Sequence, residues 1–167
     1  MMNAVNRILR ILVSLAVLTS VGCSRNAEPS EELSASEIVD RVNSKFHGLD
    51  GLKEAVSTLY ISAADHDWAR VFSFRDMGIN SLADEKAFVS TMDEKMADFE
   101  LLDLEFQMIE ATRNPASEVT KCRVVVRIVQ NPHKREHVSV VNWFKEAGNW
   151  KCDSIGLRGS PLLGKVP

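Results

Sequence analysis

Residues 101–111 read LLDLEFQMIEA, in which Leu102, Leu104, Phe106 and Met108 alternate with Asp103, Glu105 and Gln107. A repeat of two puts each set on its own face of an extended chain, so the stretch predicts a strand with one apolar and one wet face. Just upstream the repeat differs: Phe88, Met92, Met96 and Phe99 recur at helical spacing. This change of period near position 100 sets helices before strands and predicts an α+β fold, with N-terminal helices packed on a curved, cone-like antiparallel four-stranded meander.

Downstream, Asn114-Pro115 marks a turn. The valine-rich segment Lys121 to Gln130 follows, with Cys122, Val124, Val126 and Ile128 on one side and Arg123, Val125 and Arg127 on the other. Asn131-Pro132 turns again. A third strand is expected over His137 to Lys145, a tight turn at Ala147-Gly148, and a fourth strand from Trp150 to about Leu157. Charge proposes a register for the first hairpin. If Glu105 lies opposite Arg127, then Phe106 meets Val126, Leu104 meets Ile128 and Met108 meets Val124, which satisfies apolar and ionic pairs together.

Upstream, Ser34 followed by Glu37 has the chemistry of a capping box, and Ile38, Val42 and Phe46 continue a helical stripe towards Gly48. Asp50 is a candidate cap for a second helix with Leu52, Val56, Leu59, Tyr60 and Ala63 on one face. Asp67 can cap a short third helix ending near Gly78, and Ser81 with Asp84 offers another capping box before Phe88.

Residues 1–22 carry Arg7 and Arg10 ahead of an uncharged run, Ile11 to Gly22, of only 12 residues. That is a signal-peptide layout, too short for the roughly 20 residues of a spanning helix. The run ends in Ser20-Val21-Gly22-Cys23, which resembles the lipobox of bacterial lipoproteins. The resemblance implies that Cys23 becomes the first mature residue and carries a diacylglyceryl thioether and an amide-linked acyl chain; more than one chain is what makes such anchoring stable. Ser24, where Asp would resemble an inner-membrane retention signal, points to the outer membrane facing the periplasm in a two-membrane cell. Residues 23–33, with SRNAEPSEEL after the cysteine, read as a lipidated tether; ten residues at about 3.3 Å each reach roughly 30 Å. The folded domain is expected over 34–157, and 158–167, with two glycines and two prolines, as a loosely ordered tail.

The chain of 167 residues has 20 basic and 23 acidic side chains; without Arg7 and Arg10 the balance is 18 minus 23, or −5. A protein working on phosphate backbones carries a basic excess, so nucleic acid is not an expected partner.

The element order, with Tyr60-Ile61-Ser62-Ala63-Ala64-Asp65-His66-Asp67-Trp68 and the hairpin Trp143-Phe144-Lys145-Glu146-Ala147-Gly148-Asn149-Trp150-Lys151, resembles the nuclear transport factor 2-like superfamily of ketosteroid isomerases, scytalone dehydratases and polyketide cyclases. The likeness covers about residues 36–157. It implies a sheet wrapped round a long helix, leaving a pocket that is often apolar. Isomerase chemistry on that fold needs an interior carboxylate base and proton donors, and no residue here carries that role over.

Among residues that could bear chemistry, Tyr60, Trp68, Phe72, Phe106 and Trp143 are candidates for lining a pocket; each has core packing as its alternative. Tyr60, the only tyrosine, could aim its hydroxyl into such a pocket. Asp65-His66-Asp67 and His133 with His137 lack the geometry of a metal site, and no metal or cofactor is expected. Cys122 and Cys152 are a candidate disulfide in an oxidising compartment. A simple meander holds their strands about 10 Å apart, beyond disulfide reach, which leaves two buried thiols as the alternative.

These observations suggest a lipid-anchored protein of the bacterial cell envelope whose domain is a non-catalytic binder of an apolar small molecule or an envelope protein. The competing functions are an isomerase, dehydratase or cyclase using acid-base chemistry in the cone, and a structural domain that forms a homodimer.

Overall fold

A computed structural model describes residues 31–74, 82–116 and 118–160. Four helices, α1 (Ala35–Asn43), α2 (Asp50–Ala64), α3 (Trp68–Phe72) and α4 (Leu82–Lys95), precede four strands, β1 (Leu101–Arg113), β2 (Val119–Gln130), β3 (Arg135–Glu146) and β4 (Asn149–Cys152). The strands form one open antiparallel sheet in the order β1-β2-β3-β4. The switch from helical to stranded period thus falls where the sequence sets it, and the fold is α+β.

The caps explain the helix starts. Ser34 and Glu37 form the full capping box of α1: the Ser34 hydroxyl accepts from the Glu37 N–H, and the Glu37 carboxylate accepts from the Ser34 N–H at 2.9 Å. Asp67 caps α3, its carboxylate accepting from the Arg70 N–H at 3.0 Å. Asp50 is the first residue of α2 rather than its cap position, which Leu49 takes without a side-chain cap hydrogen bond. Helix α3 stops at Phe72, short of Gly78, because the Ser73 N–H and hydroxyl both turn back to the Arg70 carbonyl. Gly78 and the Ser81–Asp84 box lie outside the residues whose side chains are described.

The first hairpin has the register that charge proposes: Glu105 faces Arg127, Phe106 faces Val126 and Leu104 faces Ile128. One rung differs. A bulge between Phe106 and Met108 puts Met108 opposite Val125 and Ile109 opposite Val124. An extra residue in one strand inverts the faces beyond it, so Met108 emerges on the outer side, 37% exposed, while Ile109 packs against the core. The fourth strand is shorter than expected. The Asp153 N–H still donates to the Asn142 carbonyl at 3.1 Å, but the Asp153 carboxylate takes the Asn142 backbone N–H at 2.9 Å and its side-chain amide at 2.6 Å, and the strand ends at Cys152. Gly156, at φ +73°, then turns the chain so that its carbonyl accepts from His137 Nε2 and Ser139 Oγ.

The core lies between the helices and the inner face of the sheet, built from Ile38, Val42, Phe46, Leu52, Val56 and Leu59 against Leu104, Phe106, Val124, Val126 and Ile128. Asp103 clips α1 to the sheet, bridging Arg41 and Arg127; Arg127 also makes a two-pronged pair with Glu136 at 2.8 and 2.9 Å. At the C-terminal end, Gln130 holds Arg158 by its N–H and its carbonyl at 3.1 and 3.2 Å.

Candidate functional site

The five aromatic side chains offered by the sequence as pocket lining are all buried, and each meets another ring. Tyr60 on α2 lies edge-on to Phe106 on β1 at 5.9 Å, and Phe106 meets Phe46 at 5.1 Å. Trp68 is held between His66 and Phe99, Phe72 faces Phe88 at 5.3 Å, and Trp143 meets Phe74 at 6.0 Å. Only Tyr60 and Phe106 of the five are brought together. None of them lines any of four grooves found on the described surface. They fill the core because a domain of this size needs its largest side chains to exclude water.

Acid-base chemistry at Tyr60 would require a carboxylate beside it. Among the described residues the buried polar side chains are Ser62 and Gln130, and neither is an acid. Burial, with Cys152 nearby, drives the phenol of Tyr60 far above its usual titration range, which keeps it protonated.

The remaining candidates have structural partners. His66 Nε2 bonds the Phe99 carbonyl oxygen at 2.9 Å, and His137 Nε2 the Gly156 carbonyl oxygen at 2.7 Å. His133 stands in the β2–β3 turn at φ 75°. Among the described residues no group of histidine, cysteine and acid converges as a metal site.

Cys122 and Cys152 are free, buried thiols rather than a disulfide. Trp143 is the rung between them, paired with Cys122 on one side and Cys152 on the other, so the strands of the two cysteines are separated by β3. Burial, and then the charge of Glu110, pushes the Cys122 thiol up to about 11, and burial raises Cys152 well above the ordinary range. Both thiols are therefore poor nucleophiles.

What the surface offers is grooves. One, about 760 Å³, lies where α2, α3 and the β3–β4 hairpin meet, with Arg70, Lys145, Trp150, Lys151, Glu54 and Glu118 in its walls. A second of about 650 Å³ runs past His66, Glu100, Asn131 and His133. The first groove was not singled out from sequence. Its hairpin half is legible in KEAGNWK, where a tight turn sets Lys145 opposite Trp150; Arg70 arrives from a different element and carries no sequence signal.

No family model matches the chain, and no curated protein is similar to it. Among the described residues no helix is long and apolar enough to cross a membrane.

Proposed function

We propose that the chain is a bacterial lipoprotein, held on the envelope membrane by acyl chains on Cys23, whose folded domain is a non-catalytic module binding a protein partner in the envelope. The anchor rests on the basic, apolar and small-residue order of residues 1–23. The binding half rests on one observation: the aromatic side chains pack on one another as core, so the concave surface left over is open groove. An open groove with charged walls suits a polypeptide segment better than an enclosed apolar ligand, which needs a walled cavity. In this reading the likeness to the nuclear transport factor 2-like superfamily enters as a scaffold rather than as a chemistry.

The test of the anchor compares the full chain with Cys23→Ala for labelled palmitate incorporation and detergent partitioning. Label and detergent partitioning in the wild type, both lost in the variant, are expected. Label retained by Cys23→Ala would overturn the reading.

A second reading is favoured by Met108, Val138 and Val140, exposed by 37%, 54% and 42% on the outer face of the sheet. Met108 and Val140 both pair with Val125, giving one apolar row across three strands. Such a face suits a homodimer. Sedimentation of the Cys23→Ala chain with and without Val140→Lys tests it: a dimer converted to monomer supports this reading, and a monomer in both removes it.

A further inference from the structure

We infer that the groove between α2, α3 and the β3–β4 hairpin binds an acidic peptide segment of the partner. The inference deepens the binding-module reading and rests on it. Its basis is charge complementarity. Among the described residues the groove walls carry Arg70, Arg113, Lys145 and Lys151 against Glu54 and Glu118, four positive charges to two negative, or +2. The chain after Cys23 is at −5, from 18 basic and 23 acidic residues. A basic concavity on an acidic protein focuses the field on anions and turns cations away.

The pairing of these charges sharpens the assignment. Lys145 is neutralised by Glu118. The ammonium of Lys151 donates to the Ser73 carbonyl oxygen at 2.6 Å, a neutral acceptor, and meets no acid among the described residues. The exposed guanidinium of Arg70 meets no acid among the described residues. Trp150 shares the groove with these charges, half-buried against the first turn of α2, where its Nε1 lies 3.5 Å from the place a Cβ on Gly51 would occupy. A part-exposed tryptophan and an exposed arginine in one groove are of the residue types enriched where protein segments are anchored. The cations come from α3, β1, β3 and β4 and so are spread along the walls, which fits a chain of carboxylates better than one small anion.

Position agrees. Leu33, where the tether ends, bonds the Leu101 carbonyl at the start of β1, and Arg113 ends that same strand of 13 residues. On α2 the groove takes in residues from Gly51 to Thr58, while Leu33 shares a hollow with Ile61 and Ala64 further along that helix, so groove and tether meet α2 at different ends.

The experiment titrates the full chain in detergent with fluorescein-labelled oligoglutamate, with oligolysine as the opposite charge and citrate as the small anion. Saturable oligoglutamate binding is expected, weakening as salt rises and falling about tenfold or more in Arg70→Glu. Arg70→Gln is run beside it, and unchanged thermal unfolding of either variant excludes misfolding as the cause. Equal binding to the Arg70 variants, equal binding of oligolysine, or displacement by citrate beyond that of sodium chloride at matched ionic strength would overturn the proposal. Palmitate labelling of the same preparation separates the two claims: labelled chain without oligoglutamate binding removes the groove assignment alone, and unlabelled chain removes the anchor alone.

Discussion

Replacing Phe106 with alanine distinguishes a packed core from a ligand cavity. Phe106 is 2% exposed, meets Phe46 edge-on at 5.1 Å and Tyr60 at 5.9 Å, and faces Val126 across the first hairpin. Truncating a ring in such a site forfeits its transfer energy and leaves a void, at a cost of about 3–5 kcal/mol, within which the lost ring–ring contacts contribute about 0.5–1.5 kcal/mol each. Taking about 4 kcal/mol against a typical stability of about 5–15 kcal/mol, the variant loses a large share of its margin. For a domain of this size that corresponds to a fall in Tm of roughly 12–20 °C. The assay is urea unfolding of the full chain in detergent, followed by tryptophan fluorescence, with the midpoint shifted and the slope unchanged. If Phe106 instead lined an open pocket, one side of its ring would already face water and truncation would remove little packing. A loss under about 1.5 kcal/mol would refute the core assignment, because it falls below the range of fully packed rings.

Acid should loosen the junction of α1 with the sheet. Burial acts against the charge of Asp103, but Arg127 and Arg41 outweigh it and hold the carboxyl below its usual 3.8. A lowered value stabilises the fold above the unfolded pKa, and that contribution is lost as pH falls from about 4 through the depressed value. With side chains 33% and 37% exposed at Asp103 and Arg41, solvent screening limits the effect to about 1 kcal/mol. Urea midpoints at pH 6 and pH 3 should therefore fall further in wild type than in Asp103→Asn; equal falls would contradict the clip. The thiols give a separate check: Cys122 and Cys152 should resist a disulfide-exchange reagent in the native chain at mildly alkaline pH and react together on unfolding. Rapid native reaction, or a Cys122–Cys152 crosslink, would contradict their burial on separated strands.

The fold was legible because its instructions are local. Alternation from Leu102 to Phe106, the Ser34–Glu37 box and the Ala147-Gly148 turn each act over a few residues, and the hairpin register followed from matching charge and apolar pairs on neighbouring strands. The sequence reading failed where one residue competes with a repeat. The bulge after Phe106 turns Met108 outward although the alternation runs through it, since a bulge leaves no mark on a period of two. Asp153 ended β4 by replacing a backbone acceptor with its own carboxylate, a choice that β propensity does not reveal. The groove was hidden for another reason. Arg70 on α3 lies far along the chain from Trp150 and Lys151 on β4, and only tertiary packing puts them along one cleft.

Mass spectrometry of the N-terminal peptide of the mature chain, purified from bacterial membranes, decides whether Cys23 is lipidated. A lipoprotein yields a peptide beginning at Cys23 and heavier by a diacylglyceryl group and an acyl chain. A peptide beginning at Met1, or one cleaved elsewhere with an unmodified Cys23, would contradict the anchor.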